Sequence, residues 1–144
     1  MKVLCVCLGN ICRSPSAEAV LRAMGGETII VDSAGTGTWH VGNPPYGPAI
    51  AAARDRGYDL SPLRARKFEQ RDFSEFDLIL AMDAQNLADI EALRPSGNET
   101  PVRLFLDYAP EIGRTEVPDP YFTGDFEGAL NLIETAARGL LREL

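Results

Sequence analysis

Cys7 and Arg13 stand with five residues between them in the segment Cys7-Leu8-Gly9-Asn10-Ile11-Cys12-Arg13-Ser14-Pro15. A loop of that length can curl so that the N–H groups of Leu8, Gly9, Asn10, Ile11, Cys12, Arg13 and Ser14 converge on one anion. A helix starting at its end adds the positive end of its dipole. Gly9 and Asn10 suit the curl, because both residue types tolerate left-handed backbone. A Cys7 thiolate at the base, held by the helix terminus and by the Arg13 cation, would be a nucleophile at neutral pH. Arg13 offers a planar fork that can hold two equatorial oxygens of a phosphoryl group. The Ser14 hydroxyl is near enough to donate to the sulfur and help it leave in a second step. The plainer alternative is a helix-capping turn between a buried Cys and a surface Arg.

The flanking residues favour the cradle. Val3-Leu4-Cys5-Val6 is a short apolar run of strand type, and Ser14-Pro15 is a good helix cap and first-turn pair. Ala17, Val20, Leu21 and Met24 form an apolar stripe that Gly25-Gly26 ends. The pattern then predicts a strand over Thr28–Val31, a helix over about Pro48–Arg56 and a strand over Leu78–Met82. It continues with a helix carrying Leu87, Ile90 and Leu93, then a strand over Val102–Phe105. A last helix carries Phe126, Leu130, Ile133, Ala137, Leu140 and Leu141. This alternation predicts a three-layer α/β fold, a four-stranded parallel sheet with helices on both faces. Ligands bind such sheets beyond the carboxyl ends of the strands, where the Cys7 loop lies.

Composition limits what else the chain can be. At 144 residues with 45% hydrophobic content, residues 1–144 fit a single domain. No apolar run reaches the length of a membrane span, and the first residues lack a signal-peptide pattern, so a cytoplasmic protein is expected. The three cysteines, Cys5, Cys7 and Cys12, are odd in number and crowded together, which suits chemistry better than a disulfide framework. Fourteen Lys and Arg against 21 Asp and Glu, a net charge of −7, argue against a nucleic-acid partner. One phosphoryl group can still be held by a local ring of donors.

The segment Val6-Cys7-Leu8-Gly9-Asn10-Ile11-Cys12-Arg13-Ser14-Pro15 resembles the signature loop of the low-molecular-weight protein tyrosine phosphatases. Asp32-Ser33-Ala34-Gly35-Thr36, Ala81-Met82-Asp83 with Asn86-Leu87, and Val117-Pro118-Asp119-Pro120-Tyr121-Phe122 extend the likeness over most of the chain. The resemblance implies a four-stranded parallel sheet and hydrolysis of phosphotyrosine or another aryl phosphate through a phosphocysteine, without metal or cofactor.

A phenol leaving group needs a proton. The only histidine is His40, so a carboxylic acid comes into question, and the resemblance gives Asp119, in the stiff Pro118-Asp119-Pro120 stretch, the role of general acid and base. Tyr121 and Phe122 would wall the substrate ring on one side, with Trp39 or His40 opposite. Where the family often has a second tyrosine, this chain has Phe122. The family's matching Asn and Ser brace the loop, which gives Asn10, Ser14, Ser33 and Asp83 supporting roles; Ser33 and Asp83 could equally cap local turns. Arg66 is given no role. Cys12 could trap an oxidised Cys7 as a disulfide, making the enzyme redox-sensitive, or simply pack beneath the loop; Cys5 is read as core.

Three other functions share the fold. Arsenate reduction would need distal cysteines, and none follows Cys12. Arginine phosphatases tend to have Thr at the position of Ile11. A silent phosphate-binding module would be expected to lack Cys7 or Asp119.

Overall fold

In the computed structural model, which describes residues 1–144, strand β1 (Lys2–Cys7) sets the layers by its side-chain alternation. Val3, Cys5 and Cys7 enter one buried cluster while Leu4 and Val6 enter another, so β1 is covered on both faces. β2 (Ile30–Gly35), β3 (Leu78–Ala81) and β4 (Val102–Leu104) complete a parallel sheet in the order β2-β1-β3-β4.

Helices α1 (Arg13–Gly25) and α6 (Phe126–Arg142) cover the Cys7 face; Val20 and Leu21 meet Leu130, Ile133 and Leu140 there. Full burial of each such side chain contributes about 1.5–3 kcal/mol, so α6 is held by packing rather than by propensity. α3 (Asp72–Glu75) and α4 (Ala84–Glu91) bring Phe73 and Ile90 to the other face. A third cluster under the Cys7 loop joins Ile11 and Cys12 to Ala49 and Ala53 of α2 (Gly47–Arg54). The one-turn α5 (Pro120–Thr123) follows Asp119.

The expected elements are present with shifted bounds. Thr28 belongs to a 3₁₀ turn over Gly26–Thr28, and β2 instead runs on through Asp32 and Ser33. β2 is an edge strand, so these polar side chains find partners beside the sheet. α2 stops at Arg54, short of Arg56, and Phe105 leaves β4 for a 3₁₀ turn. Leu93 lies beyond α4 and is exposed, so it adds nothing to the stripe of Leu87 and Ile90.

β1 connects toward β2 on one side, while β3 connects toward β4 on the other. The crevice between the carboxyl ends of β1 and β3 is therefore the switch point where open α/β sheets bind ligands.

Candidate active site

Cys7 is the last residue of β1, and the chain leaves it in a tight loop that ends as α1 begins at Arg13. The loop's carbonyls turn outward. Those of Cys7 and Leu8 accept from the N–H groups of Thr36 and Gly37 at 2.9 and 2.8 Å, and those of Ile11 and Cys12 from Tyr46 N–H and the Ser16 hydroxyl at 2.9 and 2.7 Å. The N–H groups face the other way. Asn10 N–H donates to Cys7 Sγ at 3.3 Å, whereas those of Leu8, Gly9, Ile11, Cys12, Arg13 and Ser14 have no acceptor within the chain. Buried N–H groups are normally paired, so this inward ring, at the start of a helix, has the geometry to seat an oxyanion.

The curl is taken by Asn10, the one non-glycine residue with positive φ, at 56°. Gly9 serves close approach instead, since a Cβ there would lie 3.1 Å from the His40 ring. Asn10's side chain fixes the strained turn: its Nδ2 donates to Ser14 Oγ at 2.7 Å and Ser33 Oγ at 3.0 Å, and its Oδ1 accepts from Arg66 N–H at 3.0 Å. Ser33 in turn donates to Glu18 at 2.7 Å. Ser14 Oγ lies 3.0 Å from Cys7 Sγ. Ser14 accepts from Asn10, and its own proton can be given to a thiolate in preference to the Ala34 carbonyl, which lies farther away at 3.4 Å.

Arg13 is buried and oriented from behind. Its NH1 donates to Asp83 Oδ2 at 2.7 Å and to the Val117 carbonyl at 3.0 Å, and its NH2 reaches Asp119 Oδ2 only at 3.4 Å. Nε is buried with no partner. The Nε and NH2 edge of the fork is thus the one left for an anion. Burial opposes the charge of Arg13, but Cys7, Asp83 and Asp119 outweigh it and hold the guanidinium more firmly protonated than usual. Asp83 caps α4 through Asn86 N–H at 2.7 Å and also holds Arg13, a contact the sequence reading did not name.

Asp119 stands at the cleft wall, capping α5 through Tyr121 N–H. Trp39 and His40 line the cleft with Tyr121 and Phe122, above a floor that includes Cys7, Ile11 and Cys12, enclosing about 230 Å³. Trp39 and Phe122 are 72% and 75% exposed, so they form a rim more than a slot. Cys12 is packed in the small-residue cluster beneath the loop. Burial, then the nearby Asp119 and Cys7, push its thiol up to about 12. Cys5 is wholly buried, and its thiol is pushed far up, first by burial.

Sequence reasoning missed the braces. Arg66, given no role, pairs with Asp32 and with the buried Asp72 at 3.2 and 3.1 Å, which holds its backbone N–H on Asn10. Glu18 is buried, and burial raises its carboxyl above the usual range despite bonds from Ser33 and Arg22. The recurrence of Ser14, Glu18 and Arg22 at helical spacing is a polar stripe that could have revealed it.

The sequence profile of the "Low molecular weight phosphotyrosine protein phosphatase" family matches residues 2–144. The chain belongs to this family. Its Bacillus subtilis relative, "Low molecular weight protein-tyrosine-phosphatase YfkJ", is 40% identical over 149 residues, covering 100% of this chain and 96% of that protein. The crystal structure of YfkJ superposes with a TM-score of 0.94 over 99% of this chain and 93% of that one. A Streptomyces coelicolor family member, named low molecular weight protein-tyrosine-phosphatase, is 43% identical over 97% of this chain and 91% of its own length. The crystal structure of DARP, a Drosophila arginine phosphatase, also matches, at 33% identity and a TM-score of 0.90, over 99% and 97% of the two chains.

Proposed function

We propose that this chain is a protein-tyrosine phosphatase that hydrolyses phosphotyrosine monoesters through a phosphocysteine, with residues 1–144 acting as one catalytic domain. The observation that carries the reading is the ring of inward N–H groups around Cys7 Sγ, with the unpartnered Nε of Arg13 buried beside it.

In the first step the Cys7 thiolate attacks phosphorus and the P–O bond to the aryl group breaks. The electron pair stays on the phenolic oxygen, which takes the proton carried by Asp119. The loop N–H groups and the Nε/NH2 edge of Arg13 hold the equatorial oxygens as charge shifts among them. A bound phosphoryl dianion competes for Arg13 NH2, loosening its long contact to Asp119 and leaving that carboxyl free to serve the leaving group. In the second step the Asp119 carboxylate takes a proton from water, water oxygen bonds to phosphorus, and the P–S bond breaks. Sulfur leaves as thiolate, stabilised by the Ser14 hydroxyl and Asn10 N–H, and inorganic phosphate is released.

Trp39, Tyr121 and Phe122 support an aromatic ester, since they offer flat apolar surface above the sulfur. Asn10, Ser33 and Asp83 are positioning residues in this reading. Cys12 shares the cleft floor with Cys7, which supports a role as the thiol that traps a peroxide-oxidised Cys7: sulfenic acid and thiol combine to a disulfide and water. Three free cysteines suit a reducing, cytoplasmic setting, and no helix is long and apolar enough to cross a membrane. The net charge of −7 favours a peptide over a nucleic acid as partner.

The decisive experiment replaces Cys7 with Ser and assays phosphotyrosine, phosphoarginine and phosphoserine peptides. Turnover of phosphotyrosine that disappears in Cys7→Ser is expected; retained turnover, or preference for phosphoarginine, overturns the reading.

A further inference from the structure

The cleft over Cys7 does not end at its aromatic wall. Ile11, His40 and Tyr121, which line it, also line a second groove of about 330 Å³ on their far side. The three form a shared ridge, with the His40 and Tyr121 ring centroids 6.5 Å apart. The opposite bank is Asn43, Pro44, Pro45 and Tyr46.

This bank is built in advance. Gly42 N–H donates to the Ala65 carbonyl at 2.8 Å, Ala65 N–H to the Asn43 carbonyl at 2.9 Å, and Tyr46 N–H to the Ile11 carbonyl at 2.9 Å. The last of these bonds ties the groove directly to the phosphate loop. Two successive prolines remove backbone freedom between the anchors, and the Tyr46 ring packs on Tyr121 at 5.1 Å and on Phe126 at 6.1 Å. A groove held this way loses little freedom when occupied.

Its chemistry is narrow. The lining holds two prolines, two tyrosine rings, Ile11 and the His40 imidazole beside Asn43 and Gly47, with no carboxylate, lysine or arginine. The Asn43 side-chain amide makes no hydrogen bond within the chain, so its donor and acceptor are free for a peptide backbone. The continuity of groove and cleft supplies the occupant. A tyrosine whose ring stands between Trp39 and Tyr121 has its backbone at the cleft mouth, and a chain leaving over the ridge enters this groove.

We infer that the groove takes an apolar side chain adjacent to the phosphotyrosine of the substrate polypeptide, with Asn43 bonding the intervening backbone. The inference rests on the phosphatase reading above and narrows it from phosphotyrosine in general to phosphotyrosine beside an apolar residue. An acidic neighbour meets no lysine or arginine in the groove, only the imidazole of His40, and a basic one has no carboxylate.

The test starts with the wild-type enzyme and a set of peptides, each with one phosphotyrosine in a Gly/Ser background and with Leu, Pro, Phe, Asp, Lys or Gly at one flanking position. A well-filled apolar pocket is expected to raise kcat/KM on the order of tenfold for an apolar residue over Gly at one position. The apolar-to-Gly ratio is then measured in Pro44→Ser, Tyr46→Ser and Asn43→Ala. Because both peptides meet the same enzyme, any general loss of activity cancels. The ratio is expected to fall below about threefold in Tyr46→Ser, where apolar contact is removed. A flat flanking profile, a preference for Asp or Lys, or a gain that survives all three substitutions overturns the groove assignment while aryl phosphate turnover persists. If the wild type turns over neither the peptides nor an aryl phosphate, the phosphatase reading fails and the groove assignment with it.

Discussion

Arg13 and Asp83 are joined by a 2.7 Å charged hydrogen bond across the crevice between β1 and β3. The bond spans the switch point of the sheet, so a residue of the β3 exit loop fixes the direction of a cation that begins α1. Asp83→Ala should leave Arg13 charged but loosely aimed. A charged hydrogen bond contributes about 1.5–3 kcal/mol, so kcat/KM for an aryl phosphate is expected to fall roughly 10- to 150-fold. Asp83→Asn keeps the α4 cap and should retain more stability than Ala while still losing rate.

Asp119→Ala is expected to lower kcat by about 10²- to 10⁴-fold, most for esters with poor leaving groups. Binding of inorganic phosphate should be unchanged or tighter, because the carboxylate that contacts Arg13 NH2 is gone. Inhibition by phosphate measures this, and a parallel loss of phosphate binding would show that Asp119 builds the cradle instead.

The buried thiols should be silent to alkylation. Cys12, pushed up to about 12, and Cys5, pushed well above its ordinary value, both remain thiols at neutral pH, and the thiolate is the form that reacts. Since the shift is upward, reactivity at Cys12 appears only as pH climbs toward about 12. Iodoacetamide at roughly pH 7 to 9 is expected to label native protein at Cys7 alone, and Cys7→Ser not at all, as read by mass spectrometry. After peroxide, Cys12→Ser should lose the activity that thiol restores to the wild type; full recovery would assign Cys12 to packing only.

Arg66→Ala strips the cation from Asp72, which is 1% exposed, and frees the segment that presents Arg66 N–H to Asn10. Arg66 itself is partly exposed, so a loss of about 1–3 kcal/mol, below the range for fully buried pairs, is expected, or about 2–4 °C in Tm per kcal/mol. kcat should drop more than KM rises, since the cradle is disordered while its donors remain. Arg66→Lys, keeping the charge, should recover part of both, and an unchanged kcat would remove Arg66 from the positioning set.

What the sequence disclosed depended on how local the signal was. The Cys7 to Pro15 loop was legible because strand, turn and helix start lie in one continuous stretch, although the cap position falls to Cys12 and Ser14 lies inside α1, and the apolar periodicity of α6 survives in the fold almost unaltered. β2 was misjudged because its polar half, Asp32 and Ser33, breaks the strand pattern for the sake of partners 15 to 34 residues away. Arg66 and Glu18 were hidden for the same reason. Their roles exist only once distant segments meet at Asn10; the helical spacing of Ser14, Glu18 and Arg22 hints at Glu18, and no spacing along the chain announces Arg66.

The groups that hold Cys7 and Arg13 are strand ends, helix caps and buried hydrogen bonds, whereas Trp39, Tyr46, Tyr121 and Phe122 stand on the exterior. Most substitutions among the first set would cost stability as well as rate, and selection would remove them quickly. Those among the second alter only what can enter. A lineage carrying this chain could therefore change its clientele by drift at a few outward rings, while the hydrolytic step is inherited intact.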